Sequence, residues 1–154
     1  MSTARSFQFP LDPVLRQRKQ QEQDKQRKLA EIMRRQIAIE GRLREIQQQI
    51  VASKRELSGR LSGQVDTNAI RAQANMAMAL DVQARQLALE LAEVYRIANA
   101  AREELIGASK RRKSIERLRE RRFEAWKYEL RRIEEKESDD LTMTRIANRG
   151  GNGP

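Results

Sequence analysis

Cysteine and histidine are both absent from this chain of 154 residues. Without cysteine there can be no disulfide and no thiolate metal site, which suits a reducing compartment. Without histidine the commonest general base and zinc ligand is missing. Aromatic side chains are scarce, at 4%, so there is little bulky material for a rounded core. Glycine and proline are few, and most lie near the N-terminus, around residue 60 or at the C-terminus. No run approaches the ~18–20 apolar residues of a membrane span. MSTARSFQFPLDP, at the start, has no apolar stretch of signal-peptide length. The expectation is a soluble chain without cofactor and without catalysis. It has neither a histidine–cysteine constellation nor a glycine loop to cradle phosphate.

What remains is mostly Ala, Glu, Lys, Leu, Arg and Gln, the good helix formers. Charged residues make up 35% of the chain, and regular apolar spacing on that background indicates long helices or coiled coil. Asp12-Pro13 suits a helix start, with Asp12 as cap and Pro13 at the first helical position. From there Leu29, Gln36, Leu43, Ile50 and Leu57 recur every seven residues. Ile32, Ile39, Ile46 and Ser53 form the companion row. This is a heptad seam with polar faults at Gln36 and Ser53. Glu31–Arg35, Glu40–Arg44 and Glu56–Arg60 stand at the i,i+4 spacing of helix ion pairs.

SGRLSGQVDTN, residues 58–68, interrupts the seam. Gly59 or Gly63 can end one helix, and Asp66 or Thr67 can cap the next. The seam then resumes in two rows. Ile70, Ala77, Ala84, Leu91, Ala98 and Leu105 form one. Leu80, Leu87, Val94, Ala101, Ala108 and Ile115 form the other. Two heptad helices with a short connection predict an all-α fold, an antiparallel coiled-coil hairpin. Ile50 then faces Ala77, Leu43 faces Ala84 and Leu29 faces Ala98. Large residues oppose small ones, which lets the helices approach closely. The expected organisation is an extended segment over 1–12, the hairpin over 13–140 with its turn near 58–68, and a disordered tail over 141–154. The second helix, at 1.5 Å per residue, must overhang the first by several turns.

RQRKQQEQDKQRK, residues 16–28, has no apolar side chain and a net charge of +4. KRRKSIERLRERR, residues 110–122, has a net charge of +6. Together they account for the chain's whole +10, and the hairpin register places both in the half remote from the turn. The first run followed by heptads has the order of a basic zipper. It is rich in Gln, however, and lacks the Asn and small residues that read bases, so no nucleic acid is expected. KRRK at 110–113 resembles a localisation run of a kind common on basic helices. An acidic protein partner competes with a merely solvated face as the reading of these runs. In the overhang, Ile115, Leu118, Trp126 and Ile133 share a helical face, with Phe123 and Leu130 beside it. An extended segment rises ~3.3 Å per residue, so Phe7 and Phe9 can reach the level of Phe123 and cover part of that face. Glu137, Asp139 and Asp140 lie on one short segment and do not specify a metal site. Near the turn, Met78, Val82 and Leu89 take outer heptad positions, where charge is the norm, and form one apolar stripe.

FQFPLDPVLRQRKQQEQDKQRKLAE, from residue 7, resembles the opening of FliJ-family proteins of the flagellar type III export apparatus. SIERLRERRFEAWKYELRRIEEKESDDL, from residue 114, resembles that family's C-terminal block. It carries the E-x-L-x-x-x-R core at Glu116, Leu118 and Arg122, then an acidic doublet. The doublet is Asp139-Asp140 where the family has Asp-Glu, and the hinge aromatics of some members are missing. The resemblance implies a coiled-coil stalk similar to that of rotary ATPases. Such a stalk binds and stimulates the export ATPase hexamer, contacts the export gate's cytoplasmic domain and escorts export chaperones. It places the protein in the cytoplasm, peripheral at the inner membrane, in flagellum biogenesis and motility. The end expected to meet the ATPase carries Arg16, Arg18, Lys19, Arg112, Arg119, Arg122, Phe123 and Trp126. The gate and chaperone surface falls to Met78, Val82 and Leu89. The alternatives are the equivalent stalk of a virulence-type injectisome, a generic coiled-coil scaffold, or a basic-helix nucleic-acid binder.

Overall fold

Two helices account for nearly all of the chain. The computed structural model describes residues 6–64 and 66–151. Helix α1 is Asp12–Arg60, helix α2 is Thr67–Gly150, and the described residues contain no strand. The two helices pack against each other as an antiparallel hairpin. Two compact units are described in turn: residues 22–107, which include the turn, and residues 1–21 with 108–154. Residues 1–5 of the expected N-terminal segment and 152–154 of the expected tail lie outside the described residues.

In the unit of residues 22–107 the heptads form the interface. All nineteen seam positions named above that lie in this unit are buried or partly buried. Ile46 and Val94 are its largest fully buried side chains, and Ile39, Leu80, Ala98 and Ala101 are also buried. Burying a side chain such as Ile46 or Val94 contributes about 1.5–3 kcal/mol. The large apolar residues on the surface, among them Ile37, Val51, Met78 and Leu89, all lie off the seam. The polar faults are half-satisfied. Gln73 donates to the carbonyl of buried Ser53 at 3.3 Å, and Gln36 donates to Glu40 at 3.1 Å. The Oε1 atoms of both glutamines are buried without a partner.

Ion pairs confirm the antiparallel direction. Arg35 reaches Glu90 at 2.7 Å, Lys25 reaches Glu104 at 2.7 Å, and Lys28 approaches the same Glu104 oxygen at 3.7 Å. Arg35–Glu90 sits within two residues of the register expected from Leu43 facing Ala84. It also shows that Arg35 pairs across the hairpin and not with Glu31, because a partner on the facing helix lies within reach of its long side chain. Glu56–Arg60 forms as the i,i+4 pair, at 2.9 Å.

The turn lies within 58–68, where one of the two offered caps is taken and the end of α1 differs from expectation. Asp66 is the cap of α2. Its Oδ1 accepts from the N–H of Asn68 at 3.0 Å and of Ala69 at 3.4 Å, and its carbonyl accepts the first helical bond from Ile70. No described glycine has a positive φ, so neither Gly59 nor Gly63 ends α1 by the left-handed route. The helix instead tightens, with Ser62 N–H donating to the carbonyl of Gly59 and Ser62 Oγ to that of Ser58.

In the unit of residues 6–21 and 108–151 the helix start differs by one residue. Asp12 N–H donates to the carbonyl of Phe9 at 3.0 Å, closing a turn over Phe9-Pro10-Leu11-Asp12. Pro10 holds the position where its fixed φ suits such a turn. Leu15 then bonds to Leu11, which makes Asp12 the first helical residue and Pro13 the second. Asp12 turns its carboxylate to Arg119, at 3.2 Å, in place of the expected cap. At the other end α2 continues through 141–150, where a disordered tail was expected. No proline interrupts it, and Thr142 and Thr144 fold their hydroxyls back onto the carbonyls of Ser138 and Asp140 at 2.8 Å. Every described residue from 131 onward is exposed.

Candidate partner-binding surfaces

The aromatic residues of the second unit form one cluster because the Phe9–Asp12 turn sends the N-terminal strap back along α2. Phe7 meets Phe123 edge-on, with centroids 5.1 Å apart, and lies 5.8 Å from Trp126. Phe123 and Trp126 stack at 5.7 Å. Three cations border the cluster: Arg119 lies 5.6 Å over Phe7, Arg122 lies 5.8 Å over Phe9, and Lys127 lies 5.0 Å over Phe123. Phe9 and Leu15 are buried. The strap thus covers Phe123 and Trp126 in part, as its reach predicted. Ile133 stays 47% exposed.

The basic side chains are less free than the sequence suggests. Arg112 is largely covered and pairs with Glu116. Lys19 approaches the same carboxylate at 3.8 Å. Arg18 donates to Gln21 at 3.1 Å. Arg119 is held by Asp12, and Arg122 rests on Phe9. Arg16 is exposed and borders an open groove of about 650 Å³ with Asp12, Leu15, Lys19, Glu116, Arg119 and Glu120. The groove gathers three of the eight candidate residues of this end, Arg16, Lys19 and Arg119; Arg112 joins it only through its pair with Glu116. Sequence reasoning did not place its acidic members, Asp12, Glu116 and Glu120, at the site. Counting net charge hid them, although the Asp12-Pro13 signal was in plain view.

In the other unit, Met78, Val82 and Leu89 are 69%, 53% and 75% exposed. Met76 is exposed too, on a different face of α2. A feature that spacing alone did not flag is Tyr95, whose hydroxyl donates to Glu40 across the helices at 2.6 Å. That bond, then the one from Gln36, lowers the Glu40 pKa, and it raises that of Tyr95. The Glu104 carboxyl is likewise lowered, chiefly by Lys25. These shifts sit on structural ties between the two helices. Among the described residues no cluster of His, Cys, Asp or Glu could hold a metal ion, and no helix is long and apolar enough to cross a membrane.

The family model for the flagellar FliJ protein matches residues 7–151. The chain belongs to the FliJ family. Its start coincides with Phe7, the outermost aromatic residue of the strap, so the FliJ match takes in both the strap and the C-terminal block that it covers. Membership makes the protein a component of the flagellar export apparatus, engaged in protein transport. No curated protein and no solved structure matches the chain.

Proposed function

We propose that the protein is the stalk of the flagellar export ATPase, binding and stimulating the ATPase ring with its strap-bearing, basic end. Family membership over residues 7–151 carries this reading. The exposed cations around the groove, Arg16 foremost, supply long-range attraction for an acidic rim. Phe123 and Trp126, in part covered by Phe7, supply apolar contact. In this reading the protein acts in the cytoplasm at the face of the inner membrane, through the apparatus. The flagellar assignment is favoured over the injectisome stalk because the matching family model is the flagellar one.

The test is ATPase stimulation. Arg119 and Arg122 also hold the strap, so reversing them would disturb folding and binding together. Arg16→Glu with Arg121→Glu, both exposed members of the basic runs, leaves the strap contacts in place. This pair should weaken ATPase binding and stimulation at low salt while helix content stays the same. Unchanged stimulation would remove the basic runs from the interface.

The exposed Met78, Val82 and Leu89 stripe supports a second contact, with the export gate or an export chaperone. Truncating all three to alanine should leave ATPase stimulation intact. It should cost gate or chaperone affinity by about 1–3 kcal/mol if the stripe holds a hot spot. If both affinities survive, the stripe is inert.

A further inference from the structure

The last stretch of α2 has no cover. Every residue over 131–151 is exposed. Just before it, Phe123, Trp126, Leu130 and Ile133 follow each other at helical spacings of three and four, and so share one face. The same face continues to Arg119 on one side and to Glu137 on the other. The stripe is therefore an apolar centre with a cation at one end and an anion at the other. The flanking segments repeat the pattern. Residues 117–122 carry a net charge of +3 and residues 134–140 a net charge of −4.

A surface of this kind is complementary to itself when turned end for end. We propose that two copies of the chain pair through residues 119–137 of α2, antiparallel, with the crossing centred near Tyr128. In that register Trp126 meets Leu130 of the second copy, Phe123 meets Ile133 of the second copy, and Arg119 meets Glu137 of the second copy. The acidic segment of each helix runs beside the basic segment of the other. A parallel pair would set like charges side by side and is disfavoured.

In the single chain, half of this surface is already taken. Phe7 occupies the place on Phe123 and Trp126 that Ile133 and Leu130 of a second copy would take. Asp12 supplies Arg119 with the carboxylate that Glu137 of a second copy would supply. The strap is thus an intramolecular competitor of pairing, and its release exposes the whole stripe. The inference does not depend on the ATPase reading, since it concerns the protein alone.

Sedimentation equilibrium of the full chain across the micromolar range, at low salt and at ~1 M salt, tests it. The wild-type chain should self-associate reversibly and more weakly at high salt. Phe7→Ala should strengthen association by loosening the competitor. Glu137→Arg should weaken it by about tenfold. Ile133→Asp should abolish association, with circular dichroism showing that the helices persist. A monomer at all concentrations for both the wild type and Phe7→Ala overturns the proposal. So does association that is indifferent to Ile133→Asp, or to Glu137→Arg.

Discussion

The hairpin of residues 22–107 and the unit of residues 6–21 with 108–151 are built from the same helix formers but held together differently. In the hairpin, a period of seven places one apolar row against another, and Ile46, Val94 and Ala98 disappear from solvent. In the other unit the period fails. Arg112, Arg119 and Arg122 fall where the seam would continue, and α2 is packed by a strap that is not helical. Phe7 and Phe9 replace a missing helix turn with aromatic area, and the arginines on the lost seam become bordering cations over those rings. A heptad can be extended indefinitely by repetition. A strap needs particular residues at one place, which makes it the more specific device and the more easily lost.

The largest effect that separates the two regions is expected in the hairpin. Ile46→Ala should lower stability by about 2–5 kcal/mol, seen as a fall in the thermal midpoint, because its fully buried side chain leaves a cavity on the seam. Leu89→Ala, at an exposed outer position, should change the midpoint little. Equal effects would mean that the seam is misassigned.

Phe9→Ala should cost less than the ~3–5 kcal/mol of a buried core phenylalanine, because the strap can detach without unfolding the helices. The sole tryptophan, Trp126, should report the loss as a fluorescence shift at unchanged helix content. A loss of helix content across the chain would show that the strap is part of the global core.

Gln36→Leu should act in the opposite direction. The substitution removes a buried Oε1 without a partner from the seam and should raise stability by about 1–2 kcal/mol in chemical denaturation. A decrease would mean that the bond to Glu40 outweighs the orphaned oxygen.

The smallest effect is the pH dependence of the cross-helix ties. The Glu40 and Glu104 pKa values are lowered in the folded chain. Their contribution is therefore present above the ordinary glutamate value of about 4.3 and is lost as pH falls through the folded values. The Tyr95 pKa is raised, so its contribution is present below its ordinary value of about 10 and is lost as pH rises through the folded one. Tyr95→Phe should abolish the alkaline loss and reduce the acid one. Because Tyr95 and Glu104 are exposed and Glu40 is only half-buried, salt should shrink both effects. An acid limb unchanged in Tyr95→Phe would place the dependence elsewhere.

Much of the hairpin was legible in the sequence. The heptad rows, the break at 58–68 and the antiparallel direction follow from periodicity and turn chemistry, which are local properties of the chain. The helix ends were less legible. Asp12 lay open to either an N–H group of its own helix or a cation from α2, and only the packing of α2 shows that Arg119 takes it. The candidate partner surface was legible as charge and aromatic content, but not as a site. Net charge does not say which arginines are already engaged, and Arg112 and Arg119 turn out to be held by Glu116 and Asp12.

The sequence by itself determined that the chain forms two long helices, which of their faces meet and in which direction, because those depend on residue spacing along one strand. The tertiary structure alone decided where the side chains beyond the seam find partners. Phe7 reaches Phe123 and Trp126 through a turn at Pro10, and Tyr95 finds Glu40 across fifty-five residues. Such contacts join positions far apart in the chain through the path of the backbone between them, and no local pattern encodes that path.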